Sequence, residues 1–255
     1  MEIGGLQKTT LIDFPGRIAA TIFLIGCNFR CPFCYSPELV LPEKIKTHPK
    51  ISEKYLFDFL KERKGLLEGV VLCGGEPCLH KNLPNFIKKI RKLGYLVKLD
   101  TNGSNPKMLK KLIDEKLIDY AAMDIKAPLG LKSQIPNPLD AKRTPRRVAF
   151  QIPKYETAAG VKVDLDKIKE SVEILKSSNI GFEFRTTVVP GIHTKEDIVE
   201  IAKWIGGPKI KYYLQNFRSE KTIDSRFLKI KPYTQEYLAE IQKAISPFFE
   251  ICQVR

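Results

Sequence analysis

The chain has 255 residues, 43% of them hydrophobic and 28% charged, with six cysteines and a formal net charge of +14. This is ordinary globular composition, long enough for one large core. It excludes a helical membrane protein, because the longest apolar run, residues 18–27, is about half of what a span needs. The start Met1-Glu2-Ile3-Gly4-Gly5 lacks the basic stretch and apolar run of a secretory signal, so a soluble, cytoplasmic protein without a membrane partner is expected.

In a cytosolic chain of this size, clustered cysteines bind metal or do chemistry more often than they pair as disulfides. The positive charge reads as solvated faces of lysine-rich helices. Nucleic acid is the alternative, but no arginine-rich tail or aromatic-interleaved stripe favours it.

Residues 18–24 read as a strand, and 52–63 as a helix with Ser52 at its N-cap and Tyr55, Leu56, Phe59 and Leu60 on one face. The cycle repeats with strand 69–73, helix 83–93 stopped by Gly94, strand 96–100, helix 106–115 and strand 120–125. After an irregular stretch come helix 164–176, strand 182–188 and helix 194–204, where Thr194 and Asp197 form a capping box. Strand 212–217, helix 234–244 and a short strand 249–254 close the chain.

Strands alternating with helices predict parallel pairing and right-handed crossovers. Six such units fit an α/β fold of the partial (β/α)6 barrel type, with a doubly wound sheet as the alternative. Either places function at the C-terminal ends of the strands. One domain is expected over residues 1–255. Residues 131–153 break the rhythm with Lys132, Lys142, Arg143, Arg146, Arg147 and four prolines, and read as a long exposed basic loop or lid.

The strongest chemical signal is Cys27-Asn28-Phe29-Arg30-Cys31-Pro32-Phe33-Cys34, directly after the first predicted strand. Thiolates suit iron–sulfur clusters and zinc. A structural zinc site wants four closed ligands, usually as two separated pairs. Three thiolates on a four-iron cluster leave one iron open to an outside ligand.

This triplet, with aromatic Phe33 before its last cysteine, resembles the signature of the radical S-adenosylmethionine superfamily. The resemblance implies a [4Fe–4S] cluster on Cys27, Cys31 and Cys34, with S-adenosylmethionine chelating the open iron. One electron then cleaves the sulfonium and yields a 5′-deoxyadenosyl radical; the protein supplies position and excludes water. Tyr35 stands where many activators in that superfamily have His, which bears on the surroundings of the cluster and not on its ligation. Gly74-Gly75-Glu76-Pro77 follows the second strand and is similar to the family's Gly-Gly-Glu motif, implying a bed for the methionine amino group. Glycine lets backbone approach a ligand closely, and Glu76 offers a carboxylate.

Later strand ends fit the same plan. Asp100-Thr101-Asn102-Gly103 closes the third strand, placing Asp100 and Asn102 as cofactor contacts. Asp124-Ile125-Lys126 closes the fourth, and period-two alternation puts Asp124 and Lys126 on one side of Ile125. Arg185 lies in the fifth. Lys126 and Arg185 suit pairing with the methionine carboxylate, and Asp100 and Asp124 suit a small cation or the amino group.

Asp100–Gly103 and Met123–Lys126 resemble the glycyl-radical-enzyme activating branch. The opening Gly5-Leu6-Gln7-Lys8-Thr9-Thr10-Leu11-Ile12-Asp13-Phe14-Pro15-Gly16, Val189-Pro190-Gly191 and Leu214-Gln215-Asn216-Phe217 resemble anaerobic ribonucleoside-triphosphate reductase activating proteins. This implies a glycyl radical enzyme as partner, with anaerobic ribonucleotide reductase one such partner, and a reductant such as flavodoxin or ferredoxin. A radical enzyme acting on a small molecule or RNA base, and a non-enzymatic electron carrier, are the competing readings. His48, His80 and His193 read as solvated or as core hydrogen-bonders, not as ligands.

Overall fold

The computed structural model describes residues 1–130 and 153–255. The basic insert expected at 131–153 therefore lies outside the described residues, except Pro153. Among the described residues the strands are β1 Ile3–Thr10, β2 Ala19–Leu24, β3 Gly69–Gly74, β4 Leu96–Thr101, β5 Tyr120–Asp124, β6 Gly181–Val188, β7 Gly207–Asn216 and β8 Phe249–Val254. The helices are α1 Pro37–Val40, α2 Pro42–Ile45, α3 Glu53–Glu62, α4 Leu83–Lys92, α5 Pro106–Asp114, α6 Lys154–Ala159, α7 Leu165–Lys176, α8 Lys195–Ile205 and α9 Gln235–Ile245. The fold is α/β with an eight-stranded, mostly parallel sheet. No helix among the described residues is long and apolar enough to cross a membrane.

The chain forms two compact units. The first holds residues Met1–Asn28, Ser36–Met123 and Asp166–Phe182. Its strands follow chain order from β1, and all pairs are parallel except β1 with β2. Val70, Val71 and Leu72 are fully buried, as a parallel strand covered on both faces requires. Ser52 caps α3 by accepting from the Tyr55 backbone N–H, and that helix buries Leu56, Phe59 and Leu60. In α4, Leu83, Phe86, Ile87 and Ile90 recur at helical spacing and are all buried.

The second unit holds Phe29–Tyr35, Asp124–Leu165 and Glu183–Arg255. Here β6, β7 and β8 pair in parallel. The Thr194–Asp197 capping box forms as expected at α8. Ile198, Ile201 and Ala202 of α8 and Leu238, Ile241 and Ile245 of α9 are buried.

Two strand expectations need correction. β1 was not anticipated: Gly4 and Gly5 interrupt its apolar signal and Gln7 and Lys8 are exposed. It exists because β2 offers an antiparallel edge, with Ile3 opposite Leu24 and Thr10 opposite Ala19. The sixth predicted strand starts five residues earlier, at Gly207.

Candidate functional site

In the first unit, three strand ends build one constellation. The end of β2 carries Gly26 and Cys27, and the Gly74–Gly75 stretch after β3 lies against it, backbone on backbone. The Gly75 N–H donates to Leu24 O and the Glu76 N–H to Gly26 O, each at 2.8 Å. A Cβ on Gly75 would stand 2.0 Å from Gly26 O. At Gly74, φ is +115° and a Cβ would meet the Leu24 backbone N at 2.4 Å. The two glycines thus seat the residue that precedes Cys27.

Glu76 is 1% exposed. One carboxylate oxygen accepts from the Cys78 N–H (3.0 Å) and the Thr101 hydroxyl (2.8 Å), the other from the Asn102 N–H (2.6 Å). Burial pushes its carboxyl above the ordinary range, and these donors pull the other way. Glu76 therefore ties the loop after β3 to the end of β4. The Asn102 side-chain amide donates to Asn28 at 3.0 Å and stands 4.0 Å from the Cys27 sulfur. Asn28 in turn donates to Ser104 at 2.8 Å. Asp100 accepts from buried Lys98 at 2.6 Å.

In the second unit, Cys31 is buried, and Cys34 closes a turn on it through its N–H to Cys31 O at 3.0 Å. Burial pushes the Cys31 thiol up to about 12, against the pull of the Lys126 charge. Phe33 is buried. Tyr35 is exposed, and its hydroxyl accepts from the Arg218 N–H at 2.8 Å.

Asp124 binds two cations: Lys126 Nζ at 2.9 Å and Arg185 Nε at 3.0 Å. The predicted alternation of Asp124 and Lys126 is thus realised, and Lys126 and Arg185 share one acid. Burial would raise the Asp124 carboxyl, but the Lys126 and Arg185 charges outweigh it and hold it at about 2. Burial would likewise lower Lys126, and the charge and hydrogen bond of Asp124, together with neighbouring groups, hold the ammonium above its ordinary range.

Beneath this trio lies buried His193. Its Nδ1 accepts from the Val189 N–H at 3.0 Å, so Nε2 carries the proton and donates to Lys126 O at 2.7 Å. It is a core hydrogen-bonder, one of the two roles read from the sequence. Lys98, Thr101 and Tyr155 are additions. A lysine inside Leu96-Val97-Lys98-Leu99 was a visible signal, since lysine is almost never fully buried unpaired. Tyr155, amid an irregular stretch, had none.

The donor chemistry fits an iron–sulfur cluster: Cys27, Cys31 and Cys34 are three thiols within one eight-residue stretch of sequence. Among the described residues, no three His, Cys, Asp or Glu side chains gather as one metal ion demands. A four-iron cluster asks for something different, since each thiolate ligates its own iron.

The Radical SAM superfamily profile matches residues 21–205, and the chain belongs to that superfamily. It is a radical SAM enzyme, and the cofactors of the family are a [4Fe–4S] cluster and S-adenosylmethionine. A Methanocaldococcus jannaschii protein, provisionally named a glycyl-radical enzyme activating enzyme, is 29% identical over 99% of this chain and 95% of its own. A 7-carboxy-7-deazaguanine synthase of Methanopyrus kandleri is 29% identical over 74% of this chain and 81% of its own. Streptococcus suis SuiB, solved with S-adenosylmethionine bound, has the same fold, with a TM-score of 0.59 over 92% of this chain and 51% of its own, at 14% identity.

Proposed function

We propose that this chain activates a glycyl radical enzyme. The observation that carries the reading is the end-to-end match to the archaeal protein of that provisional name. Cys27, Cys31 and Cys34 hold the cluster, a ligand set supported by their spacing and by the family's cofactor. When bound, the cluster and S-adenosylmethionine supply one-electron cleavage of the sulfonium, with the electron coming from a reductant such as flavodoxin or ferredoxin. The partner would supply the glycine on which this chemistry places the radical.

The chain's own residues bind and orient. Gly74 and Gly75 shape the bed behind Cys27, and Glu76, held in place by Cys78, Thr101 and Asn102, serves the methionine ammonium. Asp100 and Asn102 flank the same strand ends. Lys126 and Arg185, oriented by Asp124, serve the methionine carboxylate, and Phe33 and Tyr35 shape the surroundings of the last cysteine. We take residues 1–255 as one radical SAM domain working in an oxygen-free cytoplasm, with anaerobic ribonucleotide reductase the first partner to try.

The test mixes reduced protein, S-adenosylmethionine and a candidate glycyl radical enzyme without oxygen. A glycine-centred doublet in the electron paramagnetic resonance spectrum, lost in Cys27→Ala, Cys31→Ala and Cys34→Ala together with the iron, is expected. A second reading, chemistry on a small molecule, draws on the likeness to 7-carboxy-7-deazaguanine synthase. Formation of 5′-deoxyadenosine stimulated by a small molecule or RNA fraction, with no partner giving a radical, would put that reading in first place.

A further inference from the structure

Tyr155 is fully buried, and its hydroxyl has no hydrogen-bond partner among the described residues. Buried polar groups are rarely left so, and each one calls for an explanation. Tyr155 sits on α6, and both ends of that helix are anchored. At its start, Lys154 Nζ grips the Asp197 carboxylate at 2.6 and 2.7 Å. At its end, Ala159 O accepts from the Arg30 N–H at 2.8 Å. Gly160 follows with φ +70°, and a Cβ there would stand 2.0 Å from Arg30 O. The helix is therefore pressed onto the cysteine loop at the residue before Cys31.

The groups around the hydroxyl narrow what it serves. It lies beside the Lys126 backbone without the geometry of a hydrogen bond, and Lys126, Cys31 and Asp124 are its ionisable neighbours. Lys126 carries an ammonium that cannot accept. Asp124 accepts from Lys126 and Arg185 and Lys126 O faces His193, and none of these oxygens meets the Tyr155 hydroxyl in hydrogen-bond geometry. Cys31 sulfur chemistry is what remains.

We propose that the Tyr155 hydroxyl donates a hydrogen bond to a sulfur of the cluster at Cys31 and so raises the reduction potential of that cluster. The inference rests on Cys31 being a cluster ligand. Hydrogen bonds to cluster sulfurs favour the reduced, more negative state, and are one of the protein's means of setting its potential. Tyr155 is a tuning residue here and takes no part in bond making.

The experiment compares anaerobically reconstituted parent, Tyr155→Phe and protein with 3-fluorotyrosine at position 155. Iron content and the four-iron absorption spectrum should be the same in all three. At a fixed applied potential, Tyr155→Phe should show about tenfold less reduced cluster, a shift of about 59 mV downward for one electron. The fluorinated hydroxyl, a stronger donor, should shift the potential upward. In D2O, pulsed electron paramagnetic resonance should find an exchangeable deuteron coupled to the reduced cluster, lost in Tyr155→Phe. Equal potentials in all three, or a coupling that survives in Tyr155→Phe, overturns the proposal while leaving the cluster intact. A parent that binds no four-iron cluster overturns the ligand assignment and this inference with it.

Discussion

Glu76 shows how a motif residue can serve structure and ligand at once. Its two oxygens are met by three donors from two different strand ends, so neither can be exchanged for an N–H without setting donor against donor. Glu76→Gln should therefore lose about 1–3 kcal/mol of stability, the usual cost of leaving a buried polar group unsatisfied. Urea unfolding of the two proteins measures it, and an unchanged midpoint would mean that the side chain is bound in some other way. His193 makes the complementary case for pH. Burial lowers its ring from 6.5 to about 4, so below about 6.5 the unfolded chain takes up a proton that the folded one refuses. Stability contributed by the neutral ring should be complete above that pH and fall as pH drops through about 4. Unfolding free energies across this window should slope in the parent and flatten in His193→Gln; parallel slopes would refute the assignment.

Among the elements, the turn after β3 is where packing dictates sequence most strictly. A methyl on Gly75 would overlap the Gly26 carbonyl, which is backbone and cannot rotate away. Gly75→Ala should cost about 1–3 kcal/mol or more, and because Gly26 precedes Cys27, it should also lower iron retention after reconstitution. Normal melting with normal iron would show that the β2 and β3 ends separate easily. Weak cofactor binding in a Gly75 variant thus reports backbone displacement as well as a lost ligand contact. The parallel strands were readable because each is a short apolar run between turn signals, and α8 because its capping box is local. β1 and α6 were not. The first pairs through backbone with β2, and the second is six residues long and held by Asp197 and Arg30.

For the molecule as a whole, a net charge of +14 shapes which partners it attracts and says nothing of its fold. Class, cofactors and the α/β alternation were all determined by the sequence alone, since three thiols in one loop, a Gly-Gly-Glu turn and hydrophobic periodicity are local features that survive without coordinates. Only the tertiary structure decided that Gly75 is required by Gly26, that Glu76 bridges to Thr101 and Asn102, and that Asp124 holds both Lys126 and Arg185. It also decided that an unremarked tyrosine backs the Cys31 loop. Most of these pairs lie tens of residues apart, and strand order and helix packing bring them together. A pattern within one segment cannot encode which other segment's backbone or carboxylate it will meet.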